Sequence, residues 1–375
     1  MATSSSYDQT SFDYASQAHR QTGQYDQAIS DLSRAIELDP EYDWAIAERG
    51  MVYGLTGEHD QAARDLARAM ELESSWAWTI AGRTEAYRRL GQLDQAIAVL
   101  TRAIELNPGS ARALVCRADA YRLADQYERA ITDFDRAIEL DPGSPGAFAH
   151  RGEAYRLAGQ HERAITDFDR AIELDAGDAW AIGSRGQACL RTGQYDQAIS
   201  DLTRAIELDP ALNWPISERG QAYRLAGRYD EALADVNALF EREEVDDWFF
   251  YQRFLVLRCC GEPAAADRDL AEAIRLVSVQ LETDQAGGSD AYNLAVYQAG
   301  AGQLGEARGD LARAIERFPD LILIGEAADD LRDLGEVPGM DAPGIALLIR
   351  LLDEAKVGIE AAGAAEDTMG GRAAD

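Results

Sequence analysis

Tryptophan and arginine recur in this sequence at multiples of 34 residues, and both side chains are suited to binding other molecules. The tryptophans of this register are Trp44, Trp78, Trp180, Trp214 and Trp248. The arginines occur ten residues after the position that these tryptophans occupy in the 34-residue repeat, and they are Arg20, Arg88, Arg122, Arg156, Arg224 and Arg258. An indole brings a large contact area and a guanidinium brings planar hydrogen bonding, so the pattern favours binding rather than catalysis.

Residues that could catalyse a reaction or hold a metal do not cluster. The histidines, which have no ligand-like grouping with Cys or His, are His19, His59, His150 and His161. The segment GAGQLG (300–305) matches G-x-G-x-x-G, but it follows no strand, and we interpret it as a glycine-rich turn between helices. Neither G-x-S-x-G nor a P-loop occurs. We therefore predict no enzyme, no cofactor and no metal site.

The elements that position these side chains repeat with the same period. The pattern R-A-[IM]-E-L begins at Arg34, Arg68, Arg102, Arg136, Arg170 and Arg204. It continues in degraded form through Ala238 and Glu272 and returns at Arg313 after a step of 41 residues. Each copy has two segments with helical apolar spacing, joined by a turn that holds Gly57, Gly91, Gly159, Gly193 or Gly227 in most copies. Such a helical hairpin must stack on its neighbours to bury its apolar face.

The copy that starts at Pro145 carries the residue types of a known repeat. Positions 4, 8, 11, 20, 24 and 27 are Phe148, Gly152, Tyr155, Ala164, Phe168 and Ala171, and Ala176 replaces a proline. This pattern resembles the tetratricopeptide repeat. The resemblance implies an all-α fold, an α-solenoid in which antiparallel helix pairs stack as a right-handed superhelix.

The resemblance also divides the chain. We expect a disordered N-terminus (1–8), eight repeats (9–280), an insertion (281–287), a degenerate ninth repeat (288–321), capping helices (322–362) and a disordered tail (363–375). The eight repeats start at residues 9, 43, 77, 111, 145, 179, 213 and 247. In the eighth, Phe254 stands where the family has a small residue, and irregular packing is expected there.

In the tetratricopeptide repeat family, first-helix positions 2, 5, 6, 9, 12 and 13 line a concave groove that binds peptides or partner helices. The resemblance therefore implies a groove formed by Trp44, Trp78, Trp180, Gln187, Arg191, Trp214, Gln221, Arg224, Trp248, Tyr251 and Arg258. An acidic-aromatic or carboxylate-bearing peptide would suit these arginines. The alternative is structural: Glu85, Asp119 and Glu153 stand three residues before Arg88, Arg122 and Arg156 and can neutralise them, while tryptophans can simply cover helix starts. The carboxylate clamp of the family is absent, because position 5 never holds lysine.

A second arginine row, at position 7, appears in every copy from the second to the eighth. Its members are Arg49, Arg83, Arg117, Arg151, Arg185, Arg219 and Arg253. This regularity indicates hydrogen bonding between repeats rather than ligand binding. Acidic pairs such as Asp133 and Asp135 recur on the second helix, and we interpret them as a solvated outer face.

Composition narrows the class of partner. The chain has 375 residues, with 67 acidic and 36 basic side chains and a net charge of −31, which disfavours nucleic acid. No signal peptide and no apolar run long enough to span a membrane are visible, and the four cysteines form no disulfide pattern, so we expect a cytoplasmic protein. Lys356 is the only lysine, a usage typical of GC-rich bacterial genes.

Two functions remain open from the sequence. The first is a non-catalytic interaction scaffold that holds a partner peptide or helix in the groove. The second is a regulatory sensor that binds a small ligand or signalling peptide and changes curvature, although the eight residues before the first repeat are too short for a DNA-binding domain. Neither reading identifies the partner or the oligomeric state.

Overall fold

The structure of the chain, a computed structural model, describes residues 24–72, 93–242, 246–283 and 286–370. In these residues every regular element is a helix. The chain separates into two compact units, Met1–Gln194 and Tyr195–Asp375, which are described in turn. The 34-residue period runs across this boundary without a break in the sequence.

The helices of the first unit are α1 (Tyr25–Leu38), α2 (Asp43–Leu55), α3 (His59–Leu72), α4 (Leu93–Leu106), α5 (Ala111–Leu123), α6 (Tyr127–Leu140), α7 (Pro145–Leu157), α8 (His161–Leu174) and α9 (Ala179–Arg191). The helices of the second unit are α10 (Tyr195–Leu208), α11 (Trp214–Leu225), α12 (Tyr229–Phe240), α13 (Asp247–Cys259), α14 (Pro263–Leu281), α15 (Gly288–Gly300), α16 (Leu304–Arg317), α17 (Leu321–Gly335) and α18 (Ala342–Gly370).

Helices pack in pairs, and each pair stacks on the next. In the first unit α2 packs on α3, α5 on α6 and α7 on α8, while α6 also contacts α7 and α8 contacts α9. In the second unit the pairs are α11 with α12, α13 with α14, α15 with α16 and α17 with α18. The expected all-α solenoid of stacked helix pairs is therefore confirmed.

Short polar residues fix where the first helices begin. Ser110, Ser144 and Asp178 precede α5, α7 and α9, and each side chain accepts a hydrogen bond from the backbone N–H three residues later. These bonds satisfy one of the otherwise unpaired N–H groups of each helix start. The helix starts that carry the position-2 side chains are therefore set by local sequence.

Glycine ends the first helix of most pairs, as predicted. Gly57, Gly159, Gly193 and Gly227 have φ of 81°, 73°, 75° and 75°, a left-handed conformation that glycine adopts without a steric penalty. In the fourth repeat, which lacks a glycine at this turn, Asp125 adopts φ of 57°. Gly91 lies outside the described residues.

The small residue at position 8 is needed for helix contact. A Cβ placed on Gly152 would lie 3.1 Å from the Phe168 ring. In the eighth repeat Phe254 occupies this position and is fully buried. It is accommodated because Gly300 leaves space beside it: a Cβ there would lie 3.3 Å from the Phe254 ring. The large residue is thus compensated by a missing side chain on the next repeat.

The position-7 arginines link three helices, which confirms the prediction of bonding between repeats. Arg117 forks onto Asp133 with Nε–Oδ2 and Nη2–Oδ1 distances of 2.7 and 2.8 Å, and its Nη1 donates to Thr101 of the preceding repeat at 3.1 Å. The same fork joins Arg49 to Asp65, Arg151 to Asp167, Arg219 to Asp235 and Arg253 to Asp269. Arg83 lies outside the described residues.

The first aspartate of each acidic pair on the second helices does not lie on a solvated face, so that interpretation was wrong for Asp133 and Asp167. Asp133 and Asp167 are buried because each receives an arginine fork. Asp135 is exposed, yet it accepts a 2.6 Å hydrogen bond from Arg151 of the next repeat. The two carboxylates of a pair therefore have different partners. Asp133 bonds to an arginine of its own repeat, and Asp135 bonds to an arginine of the next repeat.

The C-terminal part departs from the period. Helix α14 has 19 residues whereas other second helices such as α8 have 14, and it ends at Leu281, the first residue of the predicted insertion. Ala327, Leu331 and Leu334 of α17 and Leu348 of α18 belong to the core of the second unit. Helix α18 continues through Gly370 rather than ending near 362, in keeping with the high helix propensity of its alanine-rich end. Residues 1–8 lie outside the described part.

Candidate functional site

Trp180, the predicted groove tryptophan at the start of α9, packs back onto the preceding repeat. Its ring centroid lies 5.5 Å from that of His150 on α7 and 6.3 Å from that of Phe168 on α8, the latter edge-on. Trp180 is half-buried, so one side of the indole remains accessible. The tryptophan thus covers its helix start and also presents a surface.

Of the other predicted residues of the first unit, the structure describes Trp44, Gln187 and Arg191. Trp44 is half-buried and its ring centroid lies 5.8 Å from that of Tyr42. Gln187 is half-buried and Arg191 is exposed at the end of α9. Trp78 lies outside the described residues, so its predicted place in a groove stays a prediction.

Helices α5, α7 and α9 enclose an open pocket of about 1050 Å³. We call it the Gly146 pocket and define it by six of its lining residues: Arg112, Cys116, Asp119, Gly146, His150 and Trp180. In repeat numbering they occupy positions 2, 6 and 9 of three successive first helices, which the family resemblance places on the concave face. The sequence named only Trp180 of these six as a site residue.

The pocket exists because one position-2 side chain is missing. Position 2 is Arg112 in the fourth repeat, Gly146 in the fifth and Trp180 in the sixth. A Cβ built on Gly146 would meet no atom within 4 Å, so the position opens onto empty space. A large side chain at position 146 would occupy the space between Arg112 and Trp180.

A buried charge network forms one wall of the pocket. Asp119 is 3% exposed; its Oδ1 lies 2.8 Å from Nδ1 of His150 and 3.2 Å from Nε of Arg122. Burial works against ionisation of Asp119, but the positive charges of His150 and Arg122 outweigh it and lower its pKa. Burial likewise disfavours protonated His150, yet Asp119 outweighs it and raises the pKa of the imidazole. The wall is therefore an internally paired network.

Aspartates with no arginine partner lie at the rim. Asp141 and Asp175 are exposed in the turns before α7 and α9, and each accepts a backbone N–H two residues later, from Gly143 at 3.1 Å and Gly177 at 2.9 Å. Asp178 caps α9. In the described part of the chain no ion pair joins an arginine side chain to any of these three carboxylates. The rim is therefore negative.

In the second unit, two predicted groove residues are buried. Arg224 is 5% exposed and forms an ion pair with Asp333 of α17. Tyr251 is 1% exposed, with its ring 4.7 Å from that of Tyr297. Helix α17 packs over this side of the first helices, so neither side chain is available to a partner, and both are removed from the candidate surface.

The remaining predicted residues of this unit stay partly accessible. Trp214, Gln221 and Trp248 are half-buried, and the Trp248 ring lies 5.7 Å from Tyr251. Arg258 forms a 2.6 Å ion pair with Asp267. The sequence left this arginine without a partner because its local acid is absent; the structure supplies one from α14.

Four arginines at groove positions, Arg122, Arg156, Arg224 and Arg258, are paired inside the protein, whereas Arg191 is exposed. Arg122 with Asp119 and Arg156 with Glu153, at 3.2 and 2.8 Å, follow the predicted three-residue spacing. Arg224 and Arg258 use acids of other helices. Since acidic side chains outnumber basic ones by 67 to 36, a carboxylate is readily found. The expectation that free arginines attract an acidic peptide loses its support.

Gly146, His150 and Asp119 were missed as site residues because each is unremarkable within its own repeat. The available signal was their register: His150 stands at position 6 and Gly146 at position 2, both groove positions in the resembling family.

Within the described residues, no group of three or more His, Cys, Asp or Glu side chains is arranged to hold a metal ion. No helix in the described ranges is long and apolar enough to cross a membrane.

Comparison with known families places the repeats. Models described as tetratricopeptide repeat match residues 85–145, 126–179 and 179–212, and a model described as TPR repeat matches residues 17–57. No curated protein matches the chain significantly.

Several solved structures are similar to this chain over part of its length. PilW, a type IV pilus biogenesis factor, is 20% identical and aligns over 57% of this chain and 98% of its own, with a TM-score of 0.49. A tetratricopeptide repeat protein from Parabacteroides merdae is 18% identical over 72% and 93%, with a TM-score of 0.46. MamA is 25% identical over 42% and 92%, with a TM-score of 0.39. The family matches, the 34-residue period and the stacked helix pairs together show that residues 17–57 and 85–212 carry tetratricopeptide repeats.

Proposed function

We propose that the protein is a non-catalytic interaction scaffold, and that its first unit binds an extended peptide segment of a partner protein in the Gly146 pocket. The observation that carries this proposal is the missing position-2 side chain at Gly146, beside which His150 and Trp180 line an open space of about 1050 Å³. A partly apolar cavity with a few polar groups is the usual form of a binding site.

The pocket suits a partner side chain better than a reaction. His150 and Arg122 both bond to Asp119, so the titratable groups of the wall are engaged in structure. Three successive first helices contribute to the pocket, so a bound segment would run across the repeats. The cytoplasm is the compartment we propose, and the absence of a disulfide among the four cysteines is compatible with it.

Selection of peptides on the immobilised full-length protein tests this proposal. Peptides from a random displayed library are selected, synthesised with a fluorophore and titrated by fluorescence anisotropy. Gly146→Trp places in the pocket the side chain that the next repeat carries at this position, Trp180. It should weaken binding by about tenfold or more, because a filled hot-spot pocket cannot accept a partner side chain.

The matched control is Thr166→Trp, which adds the same indole at an exposed position of α8. This variant should bind like the wild type. Selected peptides that bind Gly146→Trp and the wild type equally well would show that the pocket is not the binding site. Failure of the selection to yield any peptide specific for the protein would also count against the proposal.

A further inference from the structure

The packing of Trp180 shows what the space above Gly146 would hold in a regular repeat. Trp180 lies over His150 and Phe168, which stand at positions 6 and 24 of the preceding repeat. One repeat earlier, the same two positions are Cys116 and Phe134. No indole lies over them, because Gly146 has no side chain, and other atoms bury both: Cys116 is 3% and Phe134 0% exposed. The vacancy is therefore formed like the site that Trp180 occupies one repeat later.

The walls of the vacancy are aromatic and apolar. Cys116 lines its floor, and burial raises the pKa of this thiol so that it stays neutral and behaves as a small apolar group. The Phe134 ring centroid lies 6.3 Å from that of His150, and the His150 centroid lies 5.5 Å from that of Trp180. An aromatic ring placed here would join an existing row of rings, at distances at which such pairs attract.

The charge of the pocket rim determines which residues can flank an inserted aromatic ring. The rim carboxylates Asp141, Asp175 and Asp178 have backbone partners but no cationic one in the ion pairs of the described residues, while Arg112 is the one arginine among the pocket-lining residues. His150 and Arg122 are engaged with Asp119. The rim is thus net negative on a chain whose net charge is −31. Arginine or lysine beside the inserted ring would find complementary charge, whereas glutamate would be repelled.

Resting on the proposed function of this pocket, we infer that its occupant is a partner segment with an aromatic residue, above all tryptophan, flanked by arginine or lysine. The ring fills the space over Gly146 between Cys116 and Trp180. The flanking cations lie against Asp141 and Asp175. This reverses the charge of the peptide that the sequence alone favoured.

Short synthetic peptides in a glycine–serine host test the inference directly. The probes carry a central Trp flanked by two Arg, by two Ser or by two Glu, and a fourth carries Ala between two Arg. Titration of the full-length protein at low salt should give the tightest binding for Arg-Trp-Arg, weaker binding for the Ser-flanked peptide and the weakest for the Glu-flanked peptide. The advantage of Arg over Glu should be about tenfold and should shrink as salt is added.

Two variants separate the two parts of the inference. Gly146→Trp should abolish the preference for Trp over Ala. The double variant Asp141→Asn with Asp175→Asn keeps side-chain acceptors for the turns and should remove most of the preference for Arg over Glu. Equal binding of the Ala and Trp peptides, or equal or tighter binding of the Glu-flanked peptide, would overturn the inference.

The outcome also separates this inference from the function on which it rests. If library-selected peptides bind the wild type but not Gly146→Trp, and contain no basic residues beside the aromatic one, the inference is wrong and the proposed peptide-binding function stands. Selected peptides that bind Gly146→Trp as well as the wild type would sink both.

Discussion

Arg224 and Asp333 form a buried ion pair between α11 and α17, although 109 residues separate them in the chain. The pair joins a first helix of the seventh repeat to the C-terminal helices, and it takes Arg224 out of the predicted binding surface. Nε of Arg224 and the hydroxyl of Tyr251 are both buried without a hydrogen-bond partner in the second unit. Arg224 is therefore engaged within the second unit.

Replacement of one member of this pair should destabilise the second unit strongly. Arg224→Ala leaves the Asp333 carboxylate without its partner in a largely desolvated place, which costs about 3 kcal/mol of the free energy of unfolding. The double variant Arg224→Met with Asp333→Leu removes both charges and should recover most of that loss. Urea unfolding followed by circular dichroism measures both values.

The control for this experiment is Arg275→Ala. Arg275 pairs with Glu272 on the exposed side of α14, and its loss should leave unfolding unchanged within error. If Arg224→Ala is as stable as Arg275→Ala, the ion pair with Asp333 does not form in solution.

The arginine forks should not tolerate lysine. In Arg151→Lys, an ammonium group cannot make the parallel bonds to Asp167 and also reach Asp135, as the guanidinium does. The expected loss is about 2 kcal/mol, comparable to a buried charged hydrogen bond left unmade. Arg170→Lys, in an exposed pair with Glu173, should be neutral. Equal melting temperatures for the two variants would mean that the forks do not stabilise the stack.

His150 should titrate above its ordinary pKa of 6.5, because Asp119 outweighs the opposing effects of burial and Arg122, with Glu153 adding to the attraction. A proton bound more tightly in the folded state stabilises it. This contribution is complete below about pH 6.5 and disappears as pH rises through the folded pKa. NMR titration of the His150 ring measures the shift. In Asp119→Asn the pKa should fall below 6.5; an unchanged titration would contradict the network.

Two glycines of the same helix should respond oppositely to a larger side chain. Gly146→Leu enters open space and replaces a poor helix former, so the protein should be as stable as the wild type or more so. Gly152→Leu forces atoms into the Phe168 ring, which a Cβ alone would already approach at 3.1 Å, and should cost about 3 kcal/mol. Thermal melts of both variants test the pair. Similar melts would mean that Phe168 can move aside.

The C-terminal helices should be required for the second unit. A chain that ends at Pro319 uncovers Tyr251, Tyr297 and Leu311, which the structure buries in one core with α17 and α18. We expect loss of cooperative unfolding and binding of a hydrophobic dye. A chain that ends at Ala362 keeps the α17 and α18 residues of this core and should melt like the full-length protein. Cooperative unfolding of the shorter chain would show that the second unit does not need α17 and α18 for its stability.

Much of the fold could be predicted from the sequence because its determinants are local and repeat. The 34-residue period fixed the helix pairs, the glycines of the turns fixed where first helices end, and the recurrence of arginine at position 7 pointed to bonds between repeats. Even the pairing of Arg122 with Asp119 follows from a three-residue spacing on one helix. Each of these features depends on residues close in the chain or one period apart.

Only the tertiary structure decided which of the repeated positions are open. Arg224 and Gly146 both stand at groove positions, but α17 buries the first while empty space surrounds the second. The acids that pair with Arg224 and Arg258 come from other helices, so no local spacing could reveal them. A period determines how one hairpin stacks on the next. Exposure and charge at a given position depend on side chains that differ from repeat to repeat, and on terminal helices outside the repeat.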